Sequence, residues 1–224
     1  MMGEQYAHFP PIYAILRSAY RRFLRHEEEI DMSNTSKKTK KLTVLALLTA
    51  IVVVLQALAI SIRFGVFTIT LVLAPIIVGA ALYGAAAGAW LGFVFGVVVV
   101  LTDAGPFLAV SVIGTIITCV SKGVLSGLAA GGIYRLLEKK NNLVASICAG
   151  ICAPVVNTGV FLIGCRLFFY ETVAEWGAAL GFENTFLYMI VSFVGINFLI
   201  ELGINLVLSS AIVQLVRMGR KGNK

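Results

Sequence analysis

The sequence predicts an all-α membrane protein with six transmembrane helices and with both termini in the cytoplasm. Hydrophobic residues make up 59% of the chain and charged residues only 13%, whereas soluble domains carry about 25% charged residues. The apolar residues fall into six runs, most of them long enough for a helix that crosses a bilayer. Basic residues cluster at three places between and around these runs, and this pattern sets the orientation.

The six predicted spans differ in length and in the residues that interrupt them. Their boundaries are residues 42–60, 67–82, 85–101, 107–136, 143–169 and 186–216. Span 2 is short and contains Pro75, which predicts a kinked or tilted helix. Span 3 carries a glycine at every fourth position from Gly84 to Gly96. This spacing predicts close packing against a neighbouring helix, most simply span 2.

Basic residues define the cytoplasmic side. Eight Lys and Arg residues precede span 1, three lie between spans 4 and 5, and four follow span 6. An even number of spans places all three groups on one side, which is the cytoplasm by the positive-inside rule. We therefore predict basic cytoplasmic segments at residues 32–41 and 218–224, on either side of a membrane domain at residues 42–217. The net charge of +7 reflects topology, so no nucleic-acid partner is expected.

Residues 1–31 differ in composition from the rest, and two interpretations remain open. Alternating apolar and arginine residues between Ile12 and Arg25 are typical of a basic interfacial helix. Alternatively, the segment is a mis-annotated leader and the mature protein begins at Met32. In favour of the second interpretation, the purine-rich codons of Glu27, Glu28 and Glu29 resemble a translated ribosome-binding site.

A polar stripe runs along the apolar sixth span. Asn197, Glu201, Asn205 and Ser209 recur at every fourth residue, so on a helix they share one face that drifts by about 40° per step. A carboxylate in a membrane helix costs about 2.5–3.5 kcal/mol on insertion scales. The stripe is expected either to line a ligand cavity or to bind neighbouring helices through interhelical hydrogen bonds. We favour the cavity, because Glu201 is harder to explain by helix packing.

Spans 4 and 5 bring further polar residues to the same depth. Span 4 carries a stripe that includes Thr115 and Lys122, and span 5 carries Asn157 beside Pro154. Lys122 and Glu201 each lie about fifteen residues from the outer end of their span, so a buried ion pair between them is one expectation. The alternative is that a ligand uses either charge.

Two residues near the outer ends of the spans are also candidates. Arg166, near the end of span 5, either reaches the lipid headgroups or holds an acidic ligand. Trp176, in the loop between spans 5 and 6, either anchors that loop in the interface or closes over a ligand.

In span 1, Ala46 and Ala50 form a small-x-x-x-small patch. Its spacing fits packing within the chain and docking to a partner equally well.

Several catalytic motifs are missing from the predicted membrane domain. Both histidines precede Met32, no pair of Asp residues forms a dyad, and no P-loop motif occurs. We therefore expect no enzyme activity, no metal site and no cofactor. Any pumping draws its energy from a partner protein or from an ion gradient.

The order of the motifs resembles the substrate-binding S components of energy-coupling factor (ECF) transporters. The resemblance covers about Lys41 to Arg217. The motifs that carry it are LTVLALLTA (residues 42–50), LAPIIVGAALYG (73–84), GAWLGFVFG (88–96), SKGVLSGLAAG (121–131) and PVVNTG (154–159).

The resemblance implies a function and a set of partners. S components are six-helix subunits that capture vitamins such as riboflavin, pantothenate, folate, thiamine or biotin at the outer face of a prokaryotic plasma membrane. They dock onto a membrane T component that carries two ABC ATPases. By position, docking falls to Ala46 and Ala50, and substrate binding to Asn157, Asn197 and Glu201. No residue set selects one vitamin. Two alternatives are a self-sufficient ion-coupled carrier that uses Glu201 and Lys122, and, less favoured, a membrane-embedded enzyme.

Overall fold

Helices make up most of the chain that the structure describes. The computed structural model describes residues 35, 37–59, 63–64, 67–68, 71–195 and 198–208. The helices are α1 (Lys37–Ala59), α2 (Leu73–Tyr83), α3 (Ala85–Thr102), α4 (Gly105–Leu108), α5 (Val112–Leu137), α6 (Asn142–Phe168), α7 (Tyr170–Ala179), α8 (Thr185–Tyr188), a π-helix (Met189–Val194) and α9 (Phe198–Leu208). Two short antiparallel strands, β1 (Arg63–Phe64) and β2 (Phe67–Thr68), lie between α1 and α2.

Four helices have the length and apolar composition needed to cross a membrane: α1, α3, α5 and α6. The other two apolar helices, α2 and α9, are shorter. The 11 residues of α2 extend about 16 Å, roughly half the thickness of the hydrocarbon core. An all-helical membrane fold is thus supported. The count of six spans and the cytoplasmic position of both termini stay predictions, since both termini lie outside the described residues.

The prediction for span 2 is wrong at its start. A helix was expected from Phe67, but Phe67 and Thr68 form strand β2, and α2 begins at Leu73. Pro75 is therefore the third residue of α2, where the backbone N–H has no intrahelical acceptor to lose. The expected kink at Pro75 does not follow from this position. A single residue, Gly84, joins α2 to α3 with a positive φ of 94°.

The prediction of one continuous helix in span 4 is also wrong. The segment divides into α4 and α5, which are separated by a short turn. Ser111 has an extended backbone, and its hydroxyl oxygen accepts a hydrogen bond of 3.2 Å from the N–H of Gly114. Ser111 thus acts as the N-cap of α5 and precedes the helix that carries Thr115 and Lys122.

The glycines of α3 pack directly against the backbone of α5. A Cβ atom added at Gly92 would collide with the carbonyl oxygen of Gly123, and one added at Gly123 would collide with that of Gly92. One turn away, Gly88 and Gly127 oppose each other in the same way. The main partner of this face is therefore α5 and not span 2 as predicted, although Gly88 also packs against Ala80 of α2, whose Cβ would lie 2.8 Å from a Cβ at Gly88. Such close backbone approach is a common way for membrane helices to associate.

The chain divides into two units, residues 1–44 and residues 45–224. In the first unit, the hydroxyl groups of Thr39 and Thr43 donate to the carbonyl four residues earlier, as hydroxyls in apolar helices often do. In the second unit, eight of the 11 residues of α2 are buried. Leu48 of α1 packs on α2, since its Cδ1 lies 3.3 Å from the Cβ position of Gly79. Most exposed side chains of α1 are apolar, as is typical of a surface that faces lipid.

Candidate functional site

Polar side chains of α5 and α6 meet along one line. The hydroxyl of Ser126 donates a buried hydrogen bond of 2.8 Å to the carbonyl oxygen of Ala153. Two turns toward the other end of α5, the side chain of Thr118 lies where a Cβ of Gly164 would stand. These two contacts set the register of the helix pair. We use the name α5–α6 seam for Thr118, Lys122 and Ser126 of α5 together with Asn157 of α6.

Lys122 lies in the middle of this seam and is half-buried. Its Nζ atom is 5.1 Å from the ring centroid of Phe161 on α6 and 5.7 Å from that of Phe95 on α3. Both distances are in the range of cation–π contacts, which contribute about 0.5–2 kcal/mol depending on desolvation. Two aromatic rings therefore hold the ammonium group between three helices.

Asn157 lies between the contact points of Ser126 and Lys122. It is one turn beyond Ala153 and one turn before Phe161 on the same face of α6. Only 8% of Asn157 is exposed, and its Oδ1 atom has no hydrogen-bond partner among the described residues. An unpaired buried polar atom costs about 1–3 kcal/mol. Such atoms in native proteins usually point to a water or a ligand.

Thr118 offers a second unpaired group. It is 3% exposed, and within the described ranges its hydroxyl oxygen also has no hydrogen-bond partner. Thr118, Lys122 and Asn157 thus provide a hydroxyl, an ammonium and an amide along one seam. Together they can bind a small molecule that carries both acceptor and donor groups.

Aromatic side chains from the loop helices cover the end of the seam that the predicted topology places outside. The centroid of the Phe107 ring on α4 lies 5.7 Å from that of Phe161, 5.1 Å from that of Phe169 and 5.5 Å from that of Trp176, all in edge-on contacts. The outer aromatic cluster comprises Phe107, Phe161, Phe169, Trp176, Phe182 and Tyr188. Because Phe161 also contacts Lys122, a continuous series of rings connects the seam to α7.

On α9 two polar residues are buried, whereas several apolar residues are exposed. Glu201 and Asn205 are 8% and 2% exposed, whereas Leu199 and Val207 are among the exposed apolar residues. The Nδ2 atom of Asn205 donates a hydrogen bond of 2.9 Å to the backbone carbonyl of Glu201. The stripe predicted in span 6 therefore faces protein at these two positions. Asn197 lies outside the described residues.

Helix registers place Lys122 close to the outer aromatic cluster. Cys165 packs in the core of that cluster with Met189, and the glycine preceding Cys165 contacts Thr118. Lys122 lies one turn beyond Thr118. Residues 196–197, which separate the π-helix from Glu201 on α9, lie outside the described residues. The ion pair between Lys122 and Glu201 stays a prediction.

The other predicted substrate contacts lie around the seam. Thr115 is buried, and its hydroxyl donates to the carbonyl of Ser111 at 2.7 Å. Arg166 is exposed, and its guanidinium carbon lies 4.2 Å from the ring centroid of Tyr170. Trp176 is half-buried within the outer aromatic cluster. Of these three, Trp176 is the one whose ring contacts connect it to Lys122.

Sequence reasoning did not select three residues that the structure emphasises. Phe107 and Phe161 are ordinary members of apolar runs, and nothing in their spacing separates them from lipid-facing residues. Gln56 on α1 is fully buried, and neither polar atom of its amide has a hydrogen-bond partner in the described part of the chain. For Gln56 the sequence did contain a signal: it is a single glutamine among aliphatic residues, one turn from the outer end of span 1.

A separate surface lies on α1. Ala46 and Ala50 are exposed, whereas Leu48 on the opposite side of the helix is buried. Thr49 is at the border, where its hydroxyl oxygen accepts a hydrogen bond of 3.3 Å from Nε1 of Trp90 on α3. The small residues of α1 therefore form an uncovered strip in the described structure, with Trp90 along one side.

Comparison with known proteins gives a family match for most of the chain. The model of the family described as "ECF transporter, substrate-specific component" matches residues 40–213. This range includes the α5–α6 seam, the outer aromatic cluster and the exposed alanines of α1. No curated protein and no solved structure matches the chain.

Proposed function

Because the chain belongs to the substrate-specific components of ECF transporters, we propose that it captures a vitamin-type micronutrient and delivers it into the cell. Capture takes place at the outer face of a prokaryotic plasma membrane. The observation that supports this most directly is the α5–α6 seam. Side-chain oxygens of Asn157 and Thr118, which have no hydrogen-bond partner among the described residues, share this seam with Lys122, and Lys122 packs against Phe161. In this proposal Asn157 and Trp176 contact the substrate, and Asn197, Glu201, Thr115 and Arg166 complete or border its site.

The energy for delivery comes from partner proteins. No P-loop motif occurs in the 224 residues, so a pair of ABC ATPases bound to a T component hydrolyses the ATP. The chain docks to the T component through Ala46 and Ala50. Exposed alanines four residues apart allow a partner helix to approach the backbone closely, and this approach supports association within a bilayer.

Reconstitution into proteoliposomes tests the division of labour between capture and energy supply. We expect the chain alone to bind substrate but not to accumulate it. Accumulation should require the T component, both ATPases and ATP. The control is the same complex with ATPases whose P-loop lysine is replaced, which should bind substrate without transporting it.

The competing function is a self-sufficient ion-coupled carrier that uses Glu201 and Lys122. Uptake by the chain alone, without any ATPase, and its loss when the proton gradient is collapsed would establish that function and contradict the proposal.

A further inference from the structure

We propose that the captured substrate is an acid, and that Lys122 binds its carboxylate or phosphate group while Asn157 accepts a hydrogen bond from another part of the molecule. This inference rests on the proposed function and narrows the class of substrate. Its basis is the arrangement of charge, unpaired oxygen atoms and aromatic rings along the α5–α6 seam.

The ammonium group of Lys122 can bind an anion. Its described contacts are the rings of Phe95 and Phe161, which stabilise a cation but do not neutralise it. Asp103 is eight residues beyond Phe95, at the outer end of α3. An acidic group that enters under the outer aromatic cluster can reach Lys122, because Phe161 contacts both Lys122 and Phe107 of that cluster.

The amide of Asn157 calls for a second group on the substrate, a hydrogen-bond donor. Its buried Oδ1 atom has no donor among the described residues, so a substrate N–H or O–H group would satisfy it. Asn157 lies one turn of α6 below Phe161, the residue against which Lys122 packs. The donor of the substrate is therefore about one helical turn, or roughly 5 Å, from its acidic group.

The aromatic rings indicate what the rest of the substrate is like. Phe161 contacts both Lys122 and Phe107, and Phe107 contacts Trp176. A flat or apolar body fits between the seam and these rings, because aromatic faces and edges pack well against such groups. The substrate class is thus a small organic acid with a hydrogen-bond donor and an apolar or aromatic body.

Matched pairs of acidic and neutral compounds test this inference on the unaltered protein. The probes are nicotinate with nicotinamide, biotin with biotin amide, pantothenate with panthenol, and riboflavin 5′-phosphate with riboflavin. The measurement is the melting temperature of the full chain, purified in detergent, with each probe. We expect stabilisation by the acidic member of at least one pair and none by its neutral partner.

Variants of Lys122 then assign the effect to the seam. For the stabilising acid, Lys122→Gln should weaken binding at least about 30-fold, as expected when one partner of a buried charge pair is removed. Lys122→Arg retains the charge and should restore part of the affinity. The control is Lys139→Gln, at an exposed position just after α5, which should leave binding unchanged.

The outcomes separate the two proposals. Stabilisation by neutral compounds alone, or undiminished acid binding by Lys122→Gln, would overturn the acid assignment and leave capture intact. Stabilisation by no compound would count against capture as well. If Lys122→Gln did not fold, the comparison of acidic with neutral probes on the unaltered protein would still decide the question.

Discussion

Replacing both Ala46 and Ala50 with leucine is expected to abolish uptake while leaving substrate binding unchanged. Both alanines are exposed on α1, away from the α5–α6 seam. Leucine side chains at these positions would hold a partner helix away from the α1 backbone. Inserting extra methylene groups into a packed contact costs about 1–3 kcal/mol per site. For two sites, this corresponds to at least a roughly 30-fold loss of affinity for the T component.

The measurement is uptake by the reconstituted complex, together with co-purification of the T component and equilibrium binding of substrate. Ile51→Phe is a suitable control, because Ile51 is exposed but lies about 100° around the helix from Ala50. It adds bulk to α1 without covering the strip of alanines, so uptake should persist. Normal uptake by the double leucine variant would show that this face of α1 is not the docking surface.

Replacing Gly123 with leucine should strongly destabilise the folded protein. A Cβ atom at this position already collides with the carbonyl oxygen of Gly92, and two packed backbones have no flexible atoms that can move aside. We expect a loss of at least about 3 kcal/mol. For a chain of this size, the melting temperature in detergent would then fall by roughly 6–12 °C.

Gly132→Leu, on the same helix, is the matched control. A Cβ at Gly132 meets no atom within 4 Å, and leucine has a higher helix propensity than glycine by about 0.8 kcal/mol. This variant should melt at or above the temperature of the parent protein. Equal melting temperatures for the two variants would show that α3 and α5 are not held together by their glycines.

Composition and periodicity were sufficient to predict the long helices. The predicted spans at residues 85–101 and 143–169 correspond closely to α3 and α6, since both are uninterrupted apolar runs. The predicted helix boundaries were wrong where local hydrogen bonding overrides hydrophobicity. Phe67 and Thr68 are apolar enough for a helix but pair as a strand, and the hydroxyl of Ser111 caps a new helix instead of continuing an old one.

Sequence reasoning selected the charged and amide residues of the candidate site and Trp176, but not the other aromatic residues. Lys122 and Asn157 were conspicuous because polar groups are costly in a membrane helix. Phe107 and Phe161 gave no such signal, since an aromatic residue in an apolar run is as common at the lipid surface as at a site. The main partner of the α3 glycines, α5, was also missed. Spacing shows that a helix needs a close neighbour but not which helix supplies it.

The two tryptophans offer the most direct test of whether substrate binding and partner docking use separate surfaces. Trp176 lies in the outer aromatic cluster and Trp90 lies beside the alanines of α1, and the chain contains no other tryptophan. Trp90→Phe and Trp176→Phe therefore each leave one fluorescent reporter.

We expect a stabilising acid from the paired probes to change the emission of Trp176 and not that of Trp90. Addition of the T component should change the emission of Trp90 and not that of Trp176. A substrate response from Trp90, with Trp176 silent, would contradict a substrate site between α5 and α6 under the outer aromatic cluster.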